Sequence, residues 1–489
     1  MIVQSILYPC PPCIQKELYY KCDTTLEQHN ECLNLPPDSE VSFFSYINMF
    51  DTDTWRKYTV LSAIDFSVEL QGQGYLLFKC RTEQHDVLLS KHYFASTESE
   101  AWNVFSYQFD LNEMHGCCYF EIISESEVQI RNAYFKAPEL TTVNKKIQIA
   151  LNICTYHRNQ DIQRSLKQLK KSRFFRKDDE LFGKLKVMIV DNGSELELID
   201  EPCIKLVHNI NNGGSGGFKR GLEEIRCWDD DISHVVFMDD DVEFLSESLY
   251  RLYALFFYIR KEYCQESVAG RMFRMDKRFV QYTAAEIWNC GNLQHIGLNA
   301  DMTHEEEILR SNKNTNAEYG GWWFCCYPMD FVRSNDPLPF FIHCDDVEYG
   351  LRHGGTPIIL NGIQVWHETY EYRQSAVMAY YDMRNSLFVN EKLEEMKSGE
   401  KSSAFYRMVI EKWKQEITTF HLKKDWNTEY CLIIALLDWM KGMERLKKFS
   451  NDRFHQSLIK RKSFRLKNAI CWRYATYKFK RNYLDKKEI

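Results

Sequence analysis

Short runs in which apolar and polar residues partly alternate fill the first 143 residues of the chain. Phe66–Leu70, Tyr75–Phe78 and Glu127–Ile130 are rich in β-branched or aromatic residues, a composition that favours half-buried strands. Glycines interrupt these runs, as is typical of turns between strands. The pattern predicts that residues 1–143 form a β-sandwich of the jelly-roll kind.

The pattern changes near Lys145, where apolar runs begin to alternate with helix-like segments. Ile147–Ile153 is largely apolar, and Asp161–Lys171 carries its apolar residues on one helical face. The further predicted strands are Val187–Val190, Lys205–Val207, Val235–Met238 and Pro357–Val365. This alternation predicts an α/β domain over residues 144–388, with a parallel sheet covered by helices on both faces.

The last hundred residues have a helical pattern, predicted as a region 389–489, and end in a basic tail. From Arg445 to Ile489 there are fifteen Lys and Arg against three acidic residues, so this tail carries +12 and the rest of the chain −19. Interleaved aromatic residues and positive charge predict binding to an anionic membrane surface. The alternatives are a solvated helical surface and a contact in a homo-oligomer. Nucleic acid is disfavoured because the body is acidic and carries no nucleic-acid motif.

Composition is that of a globular protein. The 489 residues are 44% hydrophobic, enough for the cores of two to four domains. No run approaches the ~18–20 apolar residues that span a bilayer, and the N-terminus lacks a basic region and a clear cleavage site. The 17 cysteines are odd in number, so we expect a reducing cytoplasm rather than disulfides. Cys10 and Cys13 lack a second pair that would favour a zinc site.

A glycine-rich turn, Asn-Ile-Asn-Asn-Gly-Gly-Ser-Gly-Gly-Phe-Lys-Arg at residues 209–220, leads into a predicted helix. Glycines let the backbone approach a ligand closely, and a helix N-terminus attracts negative charge. Downstream, a strand ends in Asp239, Asp240 and Asp241. Because carboxylates are hard ligands for Mg²⁺ or Mn²⁺, Asp239 and Asp241 predict a metal–diphosphate site. An acidic surface loop is the alternative. His367 is a candidate third ligand, although a lone histidine is more often structural.

Polar residues follow other predicted strands as well, where ligands of parallel sheets bind. Asp191 is a candidate acceptor for a uracil or ribose hydrogen bond, although its Asn-Gly neighbours also favour a plain turn. Arg158 is a candidate contact to the base or phosphate of a nucleotide, with a surface ion pair as the alternative. Of Trp322 and Trp323, one is expected to stack on a sugar and the other to pack inside, because neighbouring residues of an extended chain point in opposite directions. Core packing of both is the alternative.

Asp345 and Asp346 stand where the apolar run Phe340–Ile342, interpreted as a strand, meets a predicted helix. A carboxylate at such a junction commonly caps the helix. The same position also suits a general base that deprotonates an acceptor hydroxyl.

Seven segments in consistent order, over roughly residues 145–390, resemble the galactofuranosyltransferases of inverting glycosyltransferase family 2. They are Asn152–Arg158, Asp191–Ser194, Asn211–Phe218, Asp239–Asp241, Gly321–Trp323, Asp345–Asp346 and Trp366–His367. The resemblance implies a Rossmann-like α/β catalytic domain of the GT-A type, with an N-terminal β-sandwich and a C-terminal helical region. These regions coincide with those predicted from the residue pattern.

The same resemblance implies an inverting, metal-dependent transfer of galactofuranose from UDP-galactofuranose to a lipid-linked cell-surface glycan, on the cytoplasmic face of the membrane. Asp239, Asp241 and His367 would bind Mn²⁺ or Mg²⁺ on the diphosphate, and Asp346 would be the catalytic base. The residues implied to contact donor or acceptor are Arg158, Asp191, Asn211, Gly214, Asp240, Trp322, Trp323 and Asp345.

One position departs from that family. Relatives can carry a histidine in the segment matching residues 380–385, where this chain has Asp382, so acceptor choice and processivity do not carry over. Two other functions stay open: the same fold acting on UDP-galactopyranose or dTDP-rhamnose, and a non-catalytic glycan-binding protein. The complete set of Asp239, Asp241, Asp346 and His367 favours an enzyme.

Overall fold

The computed structural model describes residues 1–29, 32–96, 102–139, 146–197, 200–228, 231–311, 313, 316–370, 375–399 and 401–484. The predicted boundary between the first two domains, at residues 143 and 144, lies outside these ranges.

Antiparallel strands make up the N-terminal part, in agreement with the alternating pattern. Its elements are β1 (Ile2–Ser5), β2 (Glu27–His29), β3 (Cys32–Leu35), β4 (Glu40–Ser42), β5 (Phe50–Asp51), α1 (Thr52–Tyr58), β6 (Ala63–Gln71), β7 (Gln73–Arg81), β8 (Asp86–Ala95), β9 (Asn103–Asp110), β10 (Cys117–Ser124) and β11 (Val128–Lys136). Among the described residues, one sheet has the order β2-β3-β11-β6-β9 with β1 beside β11. The other has the order β4-β10-β7-β8 with β5 beside β10.

Aromatic side chains fill the space between these two sheets. Phe66 of β6 contacts Phe78 of β7 and Phe120 of β10, with ring centroids 5.6 and 4.6 Å apart. All three are buried. Because alternate residues of a strand share a face, the apolar positions of both sheets meet in one core.

Strands and helices alternate in the middle of the chain. The elements are β12 (Ile149–Thr155), α2 (Asn159–Lys171), β13 (Leu185–Asp191), β14 (Asp200–Glu201), β15 (Ile204–His208), α3 (Gly213–Ile225), β16 (His234–Asp239), β17 (Glu243–Phe244), α4 (Ser246–Tyr258), β18 (Val268–Ala269), β19 (Arg271–Arg274), β20 (Val280–Thr283), β21 (Glu286–Asn289), β22 (Asn292–His295), β23 (Ala300–Asp301), α5 (Glu305–Ser311), β24 (Cys325–Pro328), α6 (Met329–Ser334), α7 (Asp345–His353) and β25 (Gln364–His367). The main sheet of the described part has the order β14-β15-β13-β12-β16-β24-β18. β15, β13, β12 and β16 are parallel, as predicted, whereas β24 is antiparallel to β16.

A second sheet, in the order β17-β25-β19-β20-β23, contains the strand that ends at His367. The predicted strand Pro357–Val365 is wrong in its extent, because β25 begins only at Gln364. Gly362 has a φ of +76°, which interrupts the extended chain, and Ile358 forms only an isolated bridge with Val268.

The C-terminal part is helical, as predicted: α8 (Ala376–Ser398), α9 (Ser403–Leu422), α10 (Trp426–Trp439), α11 (Asp452–Ile459) and α12 (Arg465–Phe479). The predicted boundary after residue 388 falls within α8. The basic tail packs into the helical core, since Leu446, Leu458 and Phe479 are buried. In the described part of the chain, no helix is both long and apolar enough to cross a membrane.

Candidate functional site

The parallel register brings the ends of three strands to one edge of the main sheet. Thr155 of β12 lies opposite Asp191 of β13, and Cys154 lies opposite Asp239 of β16. A cavity of about 420 Å³ opens at this edge. The predicted site residues that line it are Arg158, Asn211, Gly214, Asp239, Asp240, Asp241, Trp322, Asp345, Asp346 and His367. Segments from all parts of the α/β domain therefore meet in one site.

Two carboxylates and one imidazole converge within this cavity. One ligand atom from each of Asp239, Asp241 and His367 lies within 4.8 Å of the others. His367 Nε2 is 3.0 Å from Asp241 Oδ1 and 3.8 Å from Asp239 Oδ2. Pairing of β25 with β17 places the buried His367 beside the end of β16. Oxygen and imidazole donors in this arrangement can hold Mg²⁺ or Mn²⁺.

Negative charge is concentrated around this triad. Burial, reinforced by the charges of Asp241 and Asp240, raises the pKa of Asp239. Burial also raises the pKa of Asp240 to about 6. Arg158 forms an ion pair with Asp241, and its Nε lies 3.8 Å from Asp240 Oδ1. A bound cation would relieve the same repulsion, so the charge pattern fits a divalent metal.

The glycines of the turn serve mainly to let α3 pack closely. A Cβ at Gly217 would lie 2.0 Å from Cys154 Sγ, and one at Gly221 would lie 1.9 Å from Asn152 Oδ1. Gly213 has a φ of +73°, and a Cβ there would lie 1.9 Å from the carbonyl oxygen of Phe341. Gly214 has more room, because a Cβ there would meet only Asp345 Oδ2, at an ordinary contact distance of 3.8 Å. Gly213 and Gly214 line the cavity, and the close approach of a ligand to Gly214 stays a prediction.

The two carboxylates at the start of α7 follow an irregular segment. The interpretation of Phe340–Ile342 as a strand is wrong, because Phe341, His343 and Cys344 have φ of +75°, +63° and +63°. Non-glycine residues in this region are strained and persist where the surroundings hold them. Hydrogen bonds hold this segment in place. The amide of Phe341 donates to Ser215 Oγ, and Arg384 donates to the carbonyl of Phe340. Asn385 donates to the carbonyls of Ile342 and His343.

Asp345 and Asp346 differ in exposure. Asp345 is buried, whereas Asp346 is partly exposed and accepts a hydrogen bond from the amide of Val347 at 2.8 Å. Burial and then the charge of Asp346 raise the pKa of Asp345, and burial raises the pKa of Asp346 to about 6. A carboxylate with this pKa is ionised near neutral pH and is basic enough to take a proton.

The two tryptophans point in different directions, as expected for neighbours. Trp322 lines the cavity and contacts Phe237 and Phe218, with ring centroids 4.5 and 5.0 Å away. Trp323 lies behind the lining and donates its indole N–H to the carbonyl of Gly270 at 2.8 Å. Trp322 therefore borders the cavity, but it is only 4% exposed, so its contact with a sugar stays a prediction and core packing of both tryptophans stays the alternative.

Asp191 also lies behind the lining. Its carboxylate accepts hydrogen bonds from the amides of Gly193, Glu195 and Leu196 at 2.7 to 2.8 Å. Asp191 thus organises the turn that presents Asn192 to the cavity. Its contact with uridine stays a prediction.

Residues that the sequence did not single out complete the lining. α11, part of the basic tail, contributes Asp452, His455 and Gln456. His343 lines the cavity and has its Nδ1 2.6 Å from Asp382 Oδ1. The local residue pattern does not indicate that α11 lines the cavity. A 3.6-residue period shows which face of a helix is apolar, but it does not show which distant segment that face contacts. His343 could have been predicted as a site residue from the sequence, since it stands two positions before Asp345 and Asp346.

Comparison with known proteins agrees with these observations. Residues 14–138 match the family model "galactofuranosyltransferase 2 N-terminal", and residues 151–326 match "glycosyl transferase family 2". Galactofuranosyltransferase GlfT2 of Mycolicibacterium smegmatis is 26% identical over 435 residues, which cover 79% of this chain and 64% of that protein. GlfT2 of Mycobacterium tuberculosis is 25% identical over 427 residues, which cover 79% and 65%. The chain thus spans less than two thirds of the length of these relatives.

Among solved structures, a family 6 carbohydrate-binding module aligns with 28% of the chain at 13% identity and a TM-score of 0.19. A TM-score of this size establishes neither a common fold nor a common function.

Proposed function

Because residues 14–138 and 151–326 match these two family models and the chain is similar to GlfT2, we propose that it belongs to the GlfT2-like group of glycosyl transferase family 2 and transfers galactofuranose from UDP-galactofuranose to a glycan acceptor. The proposal includes metal dependence and inversion at the anomeric carbon. Its main support is the presence, in one cavity, of a candidate cation site and a carboxylate of raised pKa.

Asp239, Asp241 and His367 are the residues that would hold the cation. Their two carboxylates and imidazole form a suitable donor set, and a cation would favour the ionised form of Asp239, whose pKa is raised by burial. A divalent ion there would supply charge neutralisation on the diphosphate leaving group. Arg158, beside the same carboxylates, would turn to the phosphates or base when the donor binds.

Asp346 would receive the proton of the attacking acceptor hydroxyl. In the proposed displacement the acceptor oxygen forms a bond to the anomeric carbon while the bond from that carbon to the diphosphate oxygen breaks. UDP leaves with the electron pair of that bond, and the configuration inverts because attack and departure occur on opposite faces. Trp322 would provide an apolar surface for a sugar ring in the same cavity.

We further propose a lipid-linked acceptor and peripheral attachment to the inner face of the cell membrane. On α12 the apolar residues Leu466, Ile470, Tyr474 and Tyr477 are each more than half exposed and recur at spacings of three and four. Basic residues flank them, Arg473 among them. An exposed apolar stripe with basic flanks suits an anionic interface. Homo-oligomer contact is the alternative use of this stripe.

The N-terminal pair of sheets is proposed as a β-sandwich, and the three-part division at about residues 143 and 388 is kept as a proposal. α8 links the last two parts, because it runs across the boundary at 388, and its Arg384 and Asn385 hold the segment before Asp345.

Transfer from a panel of nucleotide sugars tests the proposal. We expect UDP release from UDP-galactofuranose in the presence of Mn²⁺ and a galactofuranose-containing acceptor, and loss of that release in Asp346→Asn. Preference for UDP-galactopyranose or dTDP-rhamnose would replace the proposed donor. Glycan binding without use of any donor would replace the enzyme by a glycan-binding protein.

A further inference from the structure

A second cavity adjoins the catalytic one. It measures about 480 Å³ and lies between α8, α9 and the start of α10. Met378 of α8 lines both cavities. The two spaces are therefore neighbours that meet at the first turn of α8.

The rim between the cavities carries a polar pair. His343 lines the catalytic cavity and Asp382 lines the second one, with His343 Nδ1 and Asp382 Oδ1 2.6 Å apart. The Asp382 side chain is 57% exposed. Although burial opposes it, the hydrogen bond and charge of Asp382 raise the pKa of His343. A ligand that crosses this rim would meet a hydrogen-bond donor beside an acceptor.

The walls of the second cavity combine apolar surface with a few fixed polar groups. Lys412, Glu416 and Phe420 are spaced four residues apart on α9 and so share a face. Lys412 Nζ donates to the carbonyl of Cys290 at 2.6 Å, which fixes its position. Sugars present both hydroxyl groups and an apolar ring face, and such walls suit both.

The proposed reaction indicates in which direction a long acceptor leaves the catalytic cavity. An acceptor longer than one sugar places its terminal hydroxyl at Asp346 and must continue out of the catalytic cavity. The donor occupies the side with Asp239 and Asp241. The second cavity begins on the side of His343 and Met378, next to the base.

We propose that this second cavity binds the sugars of the glycan acceptor that precede its reacting residue. The inference rests on the proposed function and adds to it a subsite, reached over the His343–Asp382 rim, which makes long acceptors bind better than short ones.

Calorimetry with galactofuranose and with a linear galactofuranose tetrasaccharide, both without donor, tests the subsite. The parent protein is expected to bind the tetrasaccharide more tightly than the single sugar. Glu416→Gln removes one charged hydrogen-bond acceptor, so the affinity for the tetrasaccharide is expected to fall about tenfold, with that for the single sugar unchanged. Phe420→Ala, which removes the aromatic surface, is expected to act in the same direction.

Glu411→Gln is the matched control, since its carboxylate lies on the same helix, is 70% exposed and pairs with Lys414. Its affinity for the tetrasaccharide should equal that of the parent. The subsite is overturned if the parent shows no preference for the longer sugar, or if Glu416→Gln and Phe420→Ala bind it as tightly as the parent. Length-dependent binding without transfer from UDP-galactofuranose would support the subsite and overturn the proposed donor alone.

Discussion

The metal side and the base side of the catalytic cavity are built from different kinds of structure. On the metal side, Asp239 and Asp241 come at and after the end of a regular parallel strand, and β12, β13 and β16 align their ends by simple register. On the base side, Asp345 and Asp346 follow a segment that contains residues of positive φ. α8 holds this segment, for example by the hydrogen bond from Arg384 to the carbonyl of Phe340, 44 positions earlier in the sequence. The two metal-side carboxylates are thus set by local pattern and strand register, whereas His367 and the base side depend on distant contacts.

The largest expected effect is on the base side. Asp346→Asn should lower kcat for galactofuranose transfer by about 10²–10⁴-fold, because the acceptor loses its general base. UDP affinity should stay nearly unchanged, since the nucleotide does not need that base. Turnover with a soluble acceptor and calorimetry with UDP give the two readouts. Near-normal turnover would remove Asp346 from the mechanism.

The next effect tests the close packing on the metal side. Gly217→Ala places a Cβ 2.0 Å from Cys154 Sγ and should lower the free energy of unfolding by about 1–3 kcal/mol. Gly214→Ala is the control, because its Cβ would make only an ordinary 3.8 Å contact with Asp345 Oδ2, and its stability should stay within about 0.5 kcal/mol of the parent. Urea unfolding gives both values. Equal midpoints for the two variants would contradict the packing role of Gly217.

A smaller effect concerns pH on the base side. The base acts only when ionised, and burial raises the pKa of Asp346 to about 6. At saturating donor and metal, kcat should therefore level off above about pH 6–7 and fall about tenfold per unit below that. Asp345, His343 and Glu286 share this environment, so the midpoint describes the group as a whole. A flat profile from pH 7 to pH 5 would exclude a base whose pKa is raised to about 6.

The smallest expected effect lies outside the cavity. Leu466→Ser combined with Ile470→Ser should reduce binding to anionic liposomes several-fold, because apolar surface on α12 is lost. Leu422→Ser, at another exposed leucine, should leave binding unchanged. Point substitutions are needed, since removing the tail would also remove α11 from the cavity and Phe479 from the core. Equal binding by all variants would assign the stripe to another partner.

The same contrast explains how far the sequence could predict the structure. The strands predicted at Ile147–Ile153 and Val235–Met238, observed as β12 and β16, and the helix predicted at Asp161–Lys171 were predictable to within a few residues, because hydrophobic period and backbone geometry are local. Their order also predicted that Asp239 and Asp241 would lie at the ligand-binding edge of the sheet.

The base side was predictable only in part. Asp345 and Asp346 were found at the start of a helix, but the preceding apolar run resembled a strand and is instead a strained segment held by Ser215 and α8. His455 of α11 reaches the cavity through tertiary packing, which no residue period encodes. The charge of the tail could be read from the sequence, whereas its buried contacts with the rest of the protein could not be predicted.

UDP binding by calorimetry, with and without Mn²⁺, tests the metal–diphosphate site most directly. The parent should bind UDP at least tenfold more tightly with Mn²⁺ than with EDTA, because diphosphate and cation share one site. Asp239→Ala and Asp241→Ala should lose most of that difference, and His367→Ala a smaller part. Equal UDP affinity with and without divalent metal in the parent would contradict the assignment of Asp239, Asp241 and His367 as a metal site.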